Sequence, residues 1–282
     1  MLQVAILALL ATMVLAGPLS SSNLLLEDPS PSAQASYITA CEAADNCETY
    51  IDPITGRPSI RFKTGMEPGT DDYTSRLAKS KTKRQSGSLT TSITFDDTTI
   101  SWGCGIAPAT TLGNVSSLCH ASGQCIPTDS WSTSAFFGPA PPSGASSSET
   151  LTITANGVYP SGMSNDLVQG VQVAMRAKGV ITTSTLNFVD FTRPTNGDRP
   201  PQKRDDDSCQ VAKAPDYIGL GVYSSPNGPL EAFIQVTITL QRPENGFCAK
   251  ISSITGAIAG AFGPVGADLA AIFGVVSASC SS

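Results

Sequence analysis

Two short charged phrases carry the clearest chemistry in this 282-residue chain. Lys83-Arg84 closes the run Lys81-Thr82-Lys83-Arg84, and Lys203-Arg204 stands within Pro200-Pro201-Gln202-Lys203-Arg204-Asp205-Asp206-Asp207. An exposed Lys-Arg pair in a secreted chain is what a kexin-type processing protease cuts after. Cleavage after Arg84 makes Gln85 a new N-terminus, able to cyclise, and cleavage after Arg204 starts a second chain on three carboxylates. The plain reading of the same charges is a basic linker and a solvated acidic turn.

Cysteine is the other reactive type. Of the eight, Cys41 and Cys47 precede Arg84, Cys104, Cys119 and Cys125 lie between the two dibasic pairs, and Cys209, Cys248 and Cys280 follow Arg204. In an oxidising compartment all are disulfide candidates. Cys41 and Cys47 are near enough to close a small loop. Of the remaining six, three stand on each side of Arg204, so complete pairing in one molecule needs at least one bond across that site.

Other chemistry is thin. His120 is the only histidine, and with Cys119 and Cys125 it offers at most three metal ligands. No metal and no cofactor are expected. The chain has no G-x-S-x-G elbow, and its sparse carboxylates cannot be set face to face from sequence. A non-enzymatic role is therefore the expectation. Trp102, Trp131, Phe136 and Phe137 offer rings for a sugar- or partner-binding surface, although such rings more often anchor cores. Asn114-Val115-Ser116 is a glycosylation sequon, expected on the surface.

Composition sets the frame for these residues. Charged residues make up 14% and aromatics 6%, with a net charge of −6, which argues against nucleic acid or an anionic membrane as partner. The apolar run Leu2–Leu15, ending at Ala16, reads as a signal peptide over residues 1–16, shorter than the roughly 20 residues of a membrane span. Secretion follows. Residues 17–84 read as a pro-segment, 85–204 as a β-rich first chain, and 205–282 as a second chain folded together with it.

Within that plan, Leu89, Thr91, Ile93 and Phe95 alternate with polar residues as in a half-buried strand, and Thr98–Trp102 adds a second. Leu151 and Ile153 mark another strand, Val180–Phe191 a further one, and Asp166–Ala177 fits either helix or strand. The clearest pattern is Leu230, Ala232, Ile234, Val236, Ile238 and Leu240, a long strand with one buried face. It pairs with Tyr217–Tyr223 through the turn Ser225-Pro226-Asn227-Gly228. Ile251–Val276 is apolar and broken at Gly263-Pro264, which predicts two short helices in a hairpin with Cys248 and Cys280 meeting at its open end. Gly256, Gly260, Phe262 and Phe273 are the candidate membrane or partner contacts, because Gly256 and Gly260 form a G-x-x-x-G. A buried hairpin against the sheet is the alternative. The whole predicts an α+β fold: an antiparallel sheet or sandwich with a short apolar C-terminal helical hairpin.

This layout resembles fungal secreted killer toxins and related cysteine-rich effectors. The resemblance rests on a pro-segment ending in Lys83-Arg84, a second pair at Lys203-Arg204, and the six later cysteines. It is one of arrangement and not of matched motifs, and no active residue follows from it. It implies a matured, disulfide-linked protein acting on a protein, glycan or membrane of competing or host cells. The alternative is a secreted cell-surface or carbohydrate- or protein-binding module whose Arg204 loop stays uncut.

Overall fold

The structure is a computed structural model that describes residues 37–83, 89–140, 145–187, 208–240, 243–244, 247–262 and 275–281. The first elements are helix α1 (Tyr37–Ala43), strands β1 (Cys47–Ile51) and β2 (Pro58–Phe62), and helix α2 (Asp71–Lys83). Strands β3 (Thr90–Asp96) and β4 (Thr99–Cys104) follow. Next come the short helix α3 (Pro108–Thr111), a 3₁₀ turn (Leu112–Ser117), and the two-residue strands β5 (Cys119–His120) and β6 (Gln124–Cys125). Strands β7 (Ser130–Ala140) and β8 (Ala145–Val158), helix α4 (Ser164–Arg176) and strand β9 (Thr182–Asn187) complete the portion before Arg204. After it come β10 (Ser208–Pro215), β11 (Tyr217–Tyr223), β12 (Leu230–Thr239), β13 (Pro243–Glu244), helix α5 (Cys248–Phe262) and β14 (Val275–Ser281).

The main sheet has eight strands, ordered β14-β3-β11-β12-β8-β6-β5 with β7 also paired to β8. A four-stranded sheet, β13-β4-β10-β9, lies beside it, and β1-β2 is a separate hairpin. All pairings are antiparallel except that of β14 with β3. The fold is thus α+β with mainly antiparallel sheets. The predicted hairpin of β11 and β12 sits at the centre of the main sheet, between β3 and β8. Strands from after residue 204 therefore stand between strands from before it.

One face of the main sheet forms the large core. Ile93, Phe95, Ile218, Leu220, Val222, Ile234, Val236 and Ile238 pack there with Leu167, Val171 and Met175 of α4 and Ile254, Ile258 and Phe262 of α5. Alternation puts these sheet residues on one side, while the i, i+3, i+4 spacing on α4 gives that helix one apolar stripe. Asp166–Ala177, readable either way in sequence, is resolved in favour of helix by this packing. Trp102 is fully buried in the same core and contributes nothing to a surface.

The C-terminal segment departs from the expected helical hairpin. Its first half is α5, residues 263–274 lie outside the described residues, and Val275 and Val276, expected on a second helix, begin β14. The register runs from Val275↔Thr90 to Ser281↔Asp96. Seven residues of parallel ladder supplied by a strand far away in sequence outweigh the helical look of an Ala/Gly-rich run. Among the described residues no helix is long and apolar enough to cross a membrane.

The second departure concerns β12, which is covered by residues 37–83. They form a folded layer, here called the cap, on the other face of the main sheet. Tyr37, Cys41, Ala44, Cys47, Ile60, Phe62 and Tyr73 make a second core with Tyr223, Leu230 and Phe233. The Phe62 ring packs 5.9 Å from Phe233 and 6.1 Å from Tyr73. The strand β12 therefore has two buried faces and not one: Phe233 and Gln235, between the predicted core positions, are also buried.

Candidate functional site

The outer face of the main sheet is where the chain brings its unusual residues together. The period of two places Tyr217, Gly219, Gly221 and Tyr223 of β11 on that face. Their register partners are Thr94, Ser92 and Thr90 on β3 and Gln235 and Phe233 on β12, with Asn156 of β8 opposite Gln235. Ser277 and Ser279 of β14 continue the row beyond Ser92 and Thr94. The face is thus a tyrosine-glycine strand flanked by hydroxyls and amides.

Glycine shapes this face. A Cβ on Gly219 would lie 3.1 Å from the Tyr217 hydroxyl and 3.1 Å from Tyr37 Cζ. A Cβ on Gly221 would lie 3.1 Å from Tyr223 Cε2 and from its hydroxyl. Both tyrosine rings therefore lie along the strand, each over the neighbouring glycine, with their hydroxyls converging on the middle of β11.

The cap is held there by polar contacts as well as rings. Arg57 Nη2 is 2.7 Å from both Asp96 Oδ2 and Asp216 Oδ2, and its guanidinium carbon stands 5.4 Å from the centre of the Tyr217 ring. The Asn46 side chain donates to the Leu230 carbonyl at 2.9 Å and accepts from the Leu230 N–H at 2.8 Å, completing one strand's backbone with an amide. Gln235 Nε2 donates to the Tyr37 hydroxyl and to the Ile60 carbonyl, each at 3.1 Å. Tyr37 N–H donates to Ser279 Oγ at 3.1 Å, Asn156 Nδ2 to the Tyr50 hydroxyl at 3.1 Å, and Tyr73 OH to the Glu231 carbonyl at 3.1 Å. The one disulfide of the cap, Cys41–Cys47, closes within it, so none of its described cysteines bonds to the rest of the molecule.

Burial dominates the electrostatics. It pushes the Asp216 carboxyl up to about 6 from 3.8, against the pull of Arg57 and with a smaller push from Asp96. Burial likewise raises the Tyr37, Tyr217 and Tyr223 phenols, so all three are neutral hydroxyls across the physiological range.

The residues predicted from sequence fall mostly elsewhere. Lys83 ends α2, while Arg84, Lys203 and Arg204 lie outside the described residues, as does Phe273. Cys104–Cys209 bridges the two sides of residue 204, as counting required, and Cys119–Cys125 closes the β5–β6 hairpin. Cys280 is disulfide-bonded too, while the side chain of its expected partner, Cys248, lies outside the described ones. Asn114 is half-buried and its amide donates to the Thr111 carbonyl at 2.9 Å. Gly256 and Gly260 are exposed, with nothing within 4 Å of where a Cβ would stand. Phe262 is not a surface contact but a core residue, because the apolar face of α5 turns inward. His120 is exposed, and among the described residues no cluster of metal-ligating side chains forms.

Missed altogether were Arg57, Asp96 and Asp216, the Asn46–Leu230 pairing, and the outer face of β11. The pattern Tyr217-x-Gly219-x-Gly221-x-Tyr223 was the available signal, since glycine at alternate positions of a strand marks a close approach to its face. Comparison with protein-family models, curated proteins and solved structures returned no match.

Proposed function

We propose that the chain is a secreted precursor, cut by a kexin-type protease after Arg84 and Arg204. The product is a two-chain, disulfide-linked toxin or effector that acts on competing or host cells. The observation that carries this reading is the Cys104–Cys209 bridge, which ties together the residues on either side of the second dibasic pair. A cut at Arg204 would leave the two chains joined covalently. It would also leave β11 and β12 locked between β3 and β8, so cleavage would not dismantle the sheet.

The cap fits the role of a pro-segment. It is folded, it ends at the first dibasic pair, and its contacts to the rest are non-covalent, so a cut at Arg84 makes its departure reversible in principle. The inward turn of the α5 apolar face favours action through a binding surface over insertion of that helix into a membrane. Liposome leakage tests this choice: a matured protein that empties vesicles would reverse it. Intact mass of the secreted protein, before and after reduction, tests the processing.

A further inference from the structure

From the face described above we infer that the surface beneath the cap is a binding site for neutral, polyhydroxylated ligands, that is, for an oligosaccharide chain, kept closed by the cap until it leaves. The inference rests on the reading of residues 37–83 as a removable pro-segment and adds to it a site and a ligand class.

The first ground is a hydrogen-bond deficit. Ser92 Oγ, Thr94 Oγ1 and the Tyr223 hydroxyl are buried with no protein partner. The Tyr217 hydroxyl, near Ser59 of the cap, is buried without a well-formed hydrogen bond as well. Buried polar groups are nearly always paired, so four orphans on one face are a concentration that folding alone does not explain. The cap matches this face in shape, with Tyr37 over Gly219 and Ile60 Cδ1 3.3 Å from a Cβ position on Gly221, but leaves these four hydroxyls unanswered. The missing complement is a molecule with many donors and acceptors.

The second ground is the tyrosine pair. The Arg57 guanidinium carbon of the cap stands 5.4 Å over the Tyr217 ring, so departure of the cap would free that ring face, the kind of surface on which the C–H faces of a sugar ring stack, while both tyrosines also offer hydroxyls. Gln235 and Asn156 beside them supply amides that both donate and accept. From Tyr217 to Tyr223 the platform runs about 20 Å at the usual rise of a strand, long enough for several sugar units.

Other ligand classes fit less well. An extended peptide binds sheets by adding a strand to an edge, but β3, β11, β12 and β8 are internal here and their ladders are taken. Anionic polymers meet Asp96 and Asp216 at one end of the platform and a chain of net charge −6. Neutral saccharides avoid both objections.

The test uses the full secreted chain carrying a site-specific protease sequence in place of Lys83-Arg84, so that it does not depend on natural processing. Uncut and cut protein are titrated with short neutral oligosaccharides of glucose, mannose and N-acetylglucosamine, and with an unrelated extended peptide. Cutting removes the tether that keeps the cap at high local concentration, so at least one oligosaccharide is expected to bind the cut form about tenfold or more tightly than the uncut form, releasing the cap on gel filtration. Tyr223→Phe, which keeps the ring, and the Ser92→Ala/Thr94→Ala pair are each expected to weaken binding while leaving the cleavage pattern, the disulfides and the circular dichroism unchanged. The inference is overturned by binding to neither form, by equal binding to both, by preference for the peptide, or by full affinity in these variants. Failure of the processing reading shows separately, as a natural chain never cut at Arg84.

Discussion

Arg57 Nη2 lies 2.7 Å from Asp216 Oδ2, joining the β1–β2 hairpin of the cap to the residue that leads into β11. The same nitrogen holds Asp96 at 2.7 Å, so one guanidinium keeps two partly buried carboxylates apart from bare repulsion. Arg57→Ala leaves both acids facing each other in a poorly solvated place. We expect it to weaken seating of the cap by about 2–4 kcal/mol, read as release of the cap from chain cut at residue 84. Retention equal to that of the unaltered protein would show that the clasp is energetically idle.

The Asp216 carboxyl makes that seating depend on pH. Burial lifts it from 3.8 to about 6 in the capped state, and removal of the cap rehydrates it towards its ordinary value. The capped state then binds more protons between these limits. The resulting stabilisation is complete below the lower value and is lost as pH rises through the upper one. The facing groups, Arg57 and Asp96, are included in that balance. The cap of the cut protein should be held more tightly at pH 4.5 than at pH 7.5, by roughly tenfold to a hundredfold. Tighter retention at pH 7.5 would mean that the ion pair outweighs desolvation.

Asn46 offers a neutral counterpart. Its amide satisfies both the N–H and the C=O of Leu230 in a buried place. Asn46→Ala should destabilise the uncut protein by about 1–3 kcal/mol, because two backbone groups lose their partner. Asn46→Asp should cost at least as much, since a carboxylate cannot donate to the carbonyl. Urea unfolding measures both.

Gly219→Ala tests the tyrosine platform directly. The new Cβ meets Thr94 Cγ2 at 2.9 Å as well as Tyr217 and Tyr37 at 3.1 Å, so the Thr94 side chain must shift and the two tyrosines must give way slightly. A loss of about 1–3 kcal/mol is expected. Gly256→Ala on the open face of α5, with no neighbour within 4 Å, should be neutral or slightly stabilising.

The contrast between legible and hidden parts follows from where the information lay. The β11–β12 hairpin was plain because apolar residues at every second position make a buried face; Ala232, Ile234, Val236, Ile238 and Leu240 do so, while Leu230, beyond a register shift at Val222/Tyr223, packs in the cap's core instead. The hairpin's second buried face was hidden because Gln235, Gly219 and Gly221 carry no apolar signal; they are covered by a layer that arrives from nearly two hundred residues away. The cap, part of the expected pro-segment, carries Asp52-Pro53, Thr55-Gly56 and Pro68-Gly69 as turn signals that mask its strands. Yet Ile60 and Phe62 alternate with Ser59 and Arg61. Asp52 caps the turn before them by accepting from the Ile54 and Thr55 N–H groups, and Gly56 takes φ +70° there. The end of the chain misled for the opposite reason. Val275–Ser281 pairs in parallel with β3, a contact no local pattern announces. Counting cysteines did succeed in requiring a bond across residue 204, because parity is independent of fold.

The measurement that bears most directly on the account is the intact mass of the secreted protein, with and without reductant. The account predicts one species before reduction and two after it, spanning 85–204 and 205–282 and joined until then by Cys104–Cys209. A single uncut mass under both conditions would contradict the two-chain claim, and a mass that still includes residues 37–83 as continuous chain would contradict removal of the cap.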